Sequence, residues 1–260
     1  MSNLEFDDSG TQRVERIYMG PDIVAQREDT LRRLALAPGE AVLDIGSGPG
    51  YLCESMAQQV GPAGRVRGID ISPQMIARSA ARSTHDNVSY VVADAIDLPA
   101  DDGSFDVVVS TQVAEYVEDV DAFCVEAFRA LRPGGRLLVI ATDWDAIAWH
   151  TGDRDRMAKV MEAFEAHCAD PRLPRTLLPR LKAAGFVDTS IDTFPLISTE
   201  FVPGTYAYGI AALIREYTVG RNGVTRDEAD AWYAELEQLS ASGDYYFASG
   251  RVIFESKKPA

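Results

Sequence analysis

Two periodicities alternate along this chain. Short apolar and β-branched runs at 42–45, 65–71, 88–93, 105–110 and 136–141 have the length and composition of strands. Between them, at 51–60, after Ser72-Pro73 and from Asp119 onward, apolar positions recur every three or four residues, as in a helix that buries one face. The run at 105–110 is almost continuously apolar, which suits a strand covered on both sides. Strands separated by helical stretches predict an α/β fold on a mainly parallel sheet, because each helix carries the chain back to the same end of that sheet.

Punctuation agrees with the periodicities. A short helix near 11–19 and a longer one from Pro21 to about residue 36 precede the first strand, with Pro21 in a first turn and Pro38-Gly39 as the stop. Gly61-Pro62-Ala63-Gly64 and Arg132-Pro133-Gly134-Gly135 end two later helices. After residue 142 the pattern predicts a helix over 154–169, a second ending at Gly185, and a strand over 186–194. A long insertion follows over 195–243. It holds an apolar helix at 206–217 and another opened by Thr225 with Glu228 three residues on, a capping-box pair. The stretch 244–256 alternates and predicts a last strand.

The first strand ends in Asp44-Ile45-Gly46-Ser47-Gly48-Pro49-Gly50, with a helical run starting at Tyr51. Glycines after a strand let the backbone turn sharply and approach a ligand closely. A nucleotide cofactor is therefore expected. The dinucleotide fingerprint needs a third glycine at the position Tyr51 occupies, which argues against a nicotinamide oxidoreductase.

The segment resembles motif I of the class I S-adenosylmethionine-dependent methyltransferases, and residues 38–142 carry several of that family's motifs in order. The resemblance implies a three-layer Rossmann-like sheet of seven strands, six parallel and the last antiparallel, with helices on both faces and a helical cap. It implies S-adenosyl-L-methionine as cofactor, held by Asp44, Gly46, Ser47, Gly48 and Gly50. Asp70, twenty residues beyond Gly50, would receive both ribose hydroxyls, Ile71 would pack on adenine, and Asp94 and Ala95 would bind the adenine edge. Thr111 and Gln112 would meet the methionine end. An N-terminal helical cover at 1–37 would place Tyr18, Gln26 and Arg27 over the cofactor, the rest of the chain forming one domain with cap insertions at about 143–172 and 195–243.

Charge and cysteine content narrow the partners. With 25 basic against 40 acidic residues the net charge is −15, so phosphate backbones and anionic lipid surfaces are repelled and no nucleic acid or membrane partner is expected. Cys53, Cys124 and Cys168 show neither disulfide nor ligand spacing, and no metal site is expected. The acidic N-terminus lacks signal-peptide features, which with unpaired cysteines points to the cytoplasm.

The acceptor site is expected beyond residue 142. Asp143, Trp144, Asp145, Trp149 and His150 cluster at the carboxyl end of the fifth strand. They read either as an aromatic wall with acidic partners for a small, partly apolar acceptor, or as a helix cap and packing residues. His150, Asp143 or Tyr18 would take a proton if one must leave. Phe201 and Tyr206 in the insertion are further lining candidates, and its helix pair reads as a lid or a homodimer surface. A cyclase or regulatory protein that binds the cofactor without transferring its methyl group is the alternative. Replacing Asp70 with Ala is expected to cost about 1–3 kcal/mol of cofactor binding through lost hydrogen bonds. Calorimetric titration with S-adenosylmethionine checks this, and an unchanged affinity removes Asp70 from the site.

Overall fold

The structure, a computed structural model, describes residues 17–260. The helix expected near 11–19 falls largely outside them. In chain order the principal elements are α1 (Pro21–Leu34), β1 (Ala41–Ile45), α2 (Tyr51–Val60), β2 (Arg65–Asp70), α3 (Pro73–Arg82), β3 (Val88–Val92), β4 (Phe105–Thr111), α4 (Val120–Ala130) and β5 (Leu131–Thr142). There follow β6 (Ala148–Trp149), α5 (Arg154–Glu165), α6 (Pro174–Ala183), β7 (Val187–Ser198), α7 (Tyr206–Thr218), α8 (Arg226–Ser242) and β8 (Phe247–Lys257).

One sheet in the order β3-β2-β1-β4-β5-β8 forms the centre, with β7 and the two-residue β6 both pairing to β8. Strands β1 to β5 are parallel. The last strand, β8, is antiparallel to both β5 and β7, so β7 runs with the parallel set. This is the expected six parallel strands and one reversed strand, with β6 as an addition that the sequence pattern did not signal.

Successive side chains of a strand point to opposite faces, and the buried residues sort accordingly. Leu43 and Val108 lie in a core with Phe123 and Ala127 of α4 and Leu177 and Leu181 of α6. Their neighbours Val42, Val107 and Val109 lie in the other, with Leu34 of α1 and Met56 and Val60 of α2. Helices therefore cover both faces, and every residue of β1 is buried. A third, aromatic-rich core joins α5, α7 and α8 to the cap side of β8 through Phe164, Ile210, Ile214, Trp232 and Phe247.

Several boundaries differ from the expected ones for local reasons. Strand β5 begins at Leu131, because Phe105 pairs with Leu131 while Val107 pairs with Arg136; the Pro133-Gly134 turn is thus a bulge inside the strand. Helix α5 stops at Glu165, and the amides of Ala169 and Asp170 then donate to the Glu115 carbonyl oxygen. Strand β7 continues through Pro195, which an edge strand tolerates because the missing amide leaves no central ladder bond unmade. The capping box of α8 forms as expected, with Thr225 Oγ1 accepting from the Glu228 amide at 3.1 Å and Glu228 returning to the Thr225 amide at 2.8 Å.

Helix α1 is fastened at both ends. Arg33 reaches Asp29 at 2.6 Å, Glu255 of β8 at 2.9 Å and Asp192 of β7 at 2.6 Å. At its start, Asp22 accepts from the Tyr206 amide at 2.6 Å and so caps the first turn of α7. Trp232 is fully buried between α8 and its neighbours and donates Nε1–H to Met157 Sδ at 3.2 Å. Trp232→Ala is expected to destabilise the fold by about 3–5 kcal/mol through lost burial and a residual cavity. Urea denaturation followed by circular dichroism measures this, and a loss under about 1 kcal/mol would show the α7–α8 layer to be independent of the sheet.

Candidate active site

The carboxyl ends of β1 and β4 meet under α1 in an open cleft. Its floor is Asp44, Gly46 and Ser47 with Thr111 and Gln112; its wall is Tyr51 and Leu52 of α2; Tyr18, Gln26, Arg27 and Thr30 close it from above. A crevice at the carboxyl edge, where strand order reverses from β1 to β4, is where open α/β sheets bind ligands.

Backbone geometry makes the floor. The Ile69 carbonyl oxygen accepts from the amides of both Gly46 and Ser47, each at 2.8 Å, which folds the chain sharply off β1. At Gly46 φ is +76°, and an added Cβ would stand 2.1 Å from Val113 Cγ2. At Gly50 φ is +83° and an added Cβ would meet the Tyr90 hydroxyl at 2.6 Å. No residue with a side chain fits either place without moving the turn.

Two acids lie beneath this turn. Asp70 bridges it to α3, accepting from the Gly48 amide through Oδ2 and the Ser72 amide through Oδ1, both at 2.9 Å. Burial raises its carboxyl group above the usual range, and those two amides pull it back. Asp44 is 1% exposed; Oδ2 accepts from the Cys53 thiol at 3.2 Å, while Oδ1 has no partner. Burial pushes Asp44 up to about 7, the Cys53 bond opposes the rise and the Asp70 charge adds to it.

The rim carries the opposite charge. Arg27 lies 5.3 Å and Arg82 4.0 Å over the Tyr51 ring, and Arg27 donates to the Tyr18 carbonyl oxygen at 3.4 Å. Burial depresses the Arg27 guanidinium, with Tyr51 and Glu28 opposing, and it forms no ion pair with an acid among the described residues. Tyr18 is pushed up to about 12 by burial and by Asp70 and Asp44, with Arg251 opposing. A phenol held there keeps its proton at neutral pH.

Of the residues expected from sequence, Tyr18, Arg27, Asp44, Gly46, Ser47, Thr111 and Gln112 line the cleft together. Gly48, Gly50 and Asp70 form its supporting turn. Ile71 is 62% exposed at the end of β2, and Asp94 turns back to accept from the Ile96 amide at 3.2 Å, just past β3. These two and Ala95 sit on the same sheet edge without lining the cleft.

The cluster after β5 is dispersed. Asp143 accepts from Arg175 Nε at 2.7 Å, and Asp145 from Arg175 at 2.9 Å and Arg172 at 3.2 Å, so both acids are paired to the start of α6 and the turn before it. Trp144 is 5% exposed, with its ring 4.5 Å from His167 and 5.4 Å from Phe164. Trp149 packs with its ring tilted against Phe247 and donates to the Tyr245 hydroxyl at 2.8 Å. Phe201 packs among Tyr208, Tyr233 and Tyr245. His150 is exposed beyond β6, its amide donating to the Tyr246 carbonyl oxygen. The packing reading of this loop thus describes Trp144, Trp149 and Phe201.

Two charged residues behind the cleft escaped the sequence reading. Glu115 is fully buried in the turn after β4, and Arg251 is 2% exposed in β8. The signals were present: an acid inside the apolar run Val113 to Val117, and an arginine on the inward register of an alternating strand that otherwise holds Phe247 and Ile253.

Comparison with known proteins gives a consistent picture. Residues 43–139 match the methyltransferase domain family. The chain is 40% identical over 108 residues to an arsenite methyltransferase of Halobacterium salinarum, covering 40% of this chain and 28% of that one. It is 32% identical over 176 residues to the ubiquinone/menaquinone biosynthesis C-methyltransferase UbiE of Vibrio vulnificus, covering 59% and 66%. Among solved structures, a Haemonchus contortus phosphoethanolamine N-methyltransferase 2 in complex with S-adenosyl-L-methionine superposes with a TM-score of 0.66 at 22% identity, over 100% of this chain and 59% of that one, a likeness of fold. The chain spans 28% to 66% of the length of the curated relatives it matches.

Because Asp44 holds its proton to about pH 7 in the folded state and to about 3.8 when unfolded, the ligand-free protein loses stability as pH rises between those values. Glu115, also pushed up to about 7 by burial, acts in the same window. Thermal denaturation from about pH 4 to about pH 8 is expected to show a shallower fall for Asp44→Asn than for the parent, and parallel curves would contradict the buried acid.

Proposed function

With the chain placed by residues 43–139 among the class I S-adenosylmethionine-dependent methyltransferases, we propose that it transfers a methyl group from S-adenosyl-L-methionine to a small, partly apolar acceptor. The observation that carries this reading is the glycine turn at Gly46 to Gly50, closed by Ile69 and Asp70, in which Gly46 and Gly50 have no room for a Cβ. The open oxygen of Asp44 and the Ser47 hydroxyl, both buried without partners, fit a ligand rich in hydroxyl and amino donors.

In this reading Asp70 receives the ribose hydroxyls on the lone pairs its two amides leave open. Ile71, Asp94 and Ala95 meet the adenine from the β2 and β3 ends. Arg27 holds the carboxylate of the methionine end, with Thr111 and Gln112 beneath it. When bound, the cofactor supplies an electrophilic methyl carbon on a cationic sulfur, and an oxygen, nitrogen or carbon nucleophile of the acceptor displaces it in line. The chain contributes orientation and exclusion of water through α1 and Tyr18, effects worth on the order of 7–11 kcal/mol at best in well-aligned reactions.

Of the groups considered for the acceptor, Tyr18 stands at the cleft and Tyr206 behind it against Arg251, which favours them over the cap residues Trp144, Asp145, Trp149 and Phe201. A proton released by the acceptor has Asp143, His150 or bulk water as takers, and transfer to an already ionised nucleophile needs none. Arsenite is a poor acceptor for this chain: Cys53, Cys124 and Cys168 belong to three different cores, Cys53 and Cys124 on opposite faces of the sheet. All three cysteines are free thiols, in keeping with a cytoplasmic setting.

Incubation with isotopically labelled S-adenosylmethionine and an extract of small metabolites, read by mass spectrometry, tests the proposal. A labelled product that disappears with Gly46→Ala is the expected result. Tight cofactor binding with no labelled product from any extract fraction would return the protein to the non-transferring alternative.

A further inference from the structure

Arg251 is the most deeply buried guanidinium near the cleft; the groups in contact with it are neutral, and the buried Glu115 carboxyl acts on it electrostatically from farther off. It lies in β8 between Thr142 of β5 and Phe194 of β7. It donates to Thr142 Oγ1, and with the Gln112 amide oriented oxygen-inward that oxygen accepts from Nε at 2.6 Å and Nη2 at 2.9 Å. Its Cζ sits 4.4 Å over the Tyr206 ring. Among the described residues it makes no ion pair, and Glu115 acts on it only across a longer distance. A buried cation with no acid in contact is disfavoured, and an anion arriving in contact would complete it.

Other polar groups here are also incomplete. Glu115 accepts from the Thr142 amide at 3.2 Å through Oε1, while its Oε2 has no partner; the Tyr206 hydroxyl, in a residue 4% exposed, has none either. Burial pushes Glu115 up to about 7 with the Arg251 charge opposing, so below that pH it is largely protonated and supplies little counter-charge. Gln112 separates this group from the cleft, which it lines, and its φ of +61° is a left-handed value that a glutamine rarely adopts. The Gln112 oxygen thus occupies a position where a ligand oxygen, entering from the cleft as that side chain swings aside, would find the guanidinium fork. Tyr206, and Phe247 with its ring 6.0 Å away, provide an aromatic flank.

We propose that Arg251, with Thr142 and the Tyr206 hydroxyl, forms the anion hold of the acceptor subsite, taking an aromatic or apolar molecule that carries an anionic oxygen, carboxylate or phenolate. The proposal rests on the methyl-transfer reading of the same cleft. Charge-assisted hydrogen bonds from the guanidinium would then orient the acceptor beside the cofactor's methyl end.

The test is calorimetric titration of the full chain loaded with S-adenosylhomocysteine, using benzoate, 4-nitrophenolate and neutral benzamide. At least one anion is expected to bind about tenfold or more tighter than benzamide, and Arg251→Gln is expected to erase that preference while S-adenosylhomocysteine affinity stays within about threefold. Preference for benzoate assigns a carboxylate acceptor, and preference for 4-nitrophenolate a phenolate. Equal affinity for benzamide, no binding of either anion, or an undiminished preference in Arg251→Gln overturns the proposal. If Arg251→Gln does not fold, Tyr206→Phe takes its place, since it removes only the hydroxyl beside Arg251. It is expected to weaken the anions about threefold or more and spare benzamide, and unchanged anion affinity overturns the proposal. Absence of S-adenosylhomocysteine binding would refute the cofactor reading separately, the anion preference of the unloaded chain still reporting on Arg251.

Discussion

The cleft depends on a single backbone reversal. Between Ile45 and Tyr51 the chain leaves the centre of a parallel sheet and enters a helix, and it does so because one carbonyl oxygen, that of Ile69, receives two consecutive amides. This bifurcated anchor commits β2 to end beside β1, brings Asp70 under the turn and directs the Gly48 amide onto it. Without the anchor neither the acid nor the glycines would share an edge. Burial of the whole of β1 makes the arrangement stiff, since close-packed side chains leave it no room to drift.

Charge is distributed against the grain of the whole molecule. A chain with net charge −15 keeps two acids below the glycine turn and places Arg27, Arg82 and Arg251 around the same space. Asp44 is easier to bury because it keeps its proton near neutrality. Arg251 has no such escape, as a guanidinium remains charged in every protein environment. The acid end and the cationic end of the cleft therefore meet their burial in different ways, the first by protonation and the second by neutral acceptors and an aromatic face.

What could be read from the sequence was local in origin. The strands of the first half declare themselves through apolar runs, and the glycine turn through spacing, because both are properties of a few consecutive residues. The loop of Asp143 to His150 shows the limit. Tryptophan, aspartate and histidine are equally suited to a ligand wall and to a packed cap, and the choice is made by Arg172, Arg175, Phe164 and Phe247, which reach the loop from elsewhere in the chain. Arg251 and Glu115 are harder still. Each looks like an unremarkable charged residue until β8 slides in next to β5 and encloses both.

That late strand has a kinetic meaning. Strands β1 to β4 come from residues 41–111 and β5 from 131–142, and they pair in a compact order, whereas β8, at 247–257, must insert between β5 and β7. Until it does, β5 has an open edge and β7 has no neighbour in the sheet. Closing so long a loop is slow and lowers the folding rate, as for any pairing of distant segments. The aromatic cap assembles on β8 as well, through Phe247, so the cleft floor and α1 can form early while the cap behind them waits for β8 to pair. A ribosome-bound or truncated chain lacking this strand would display a well-shaped glycine turn and an unprotected β5 edge, which is the profile of a species that sticks to others of its kind.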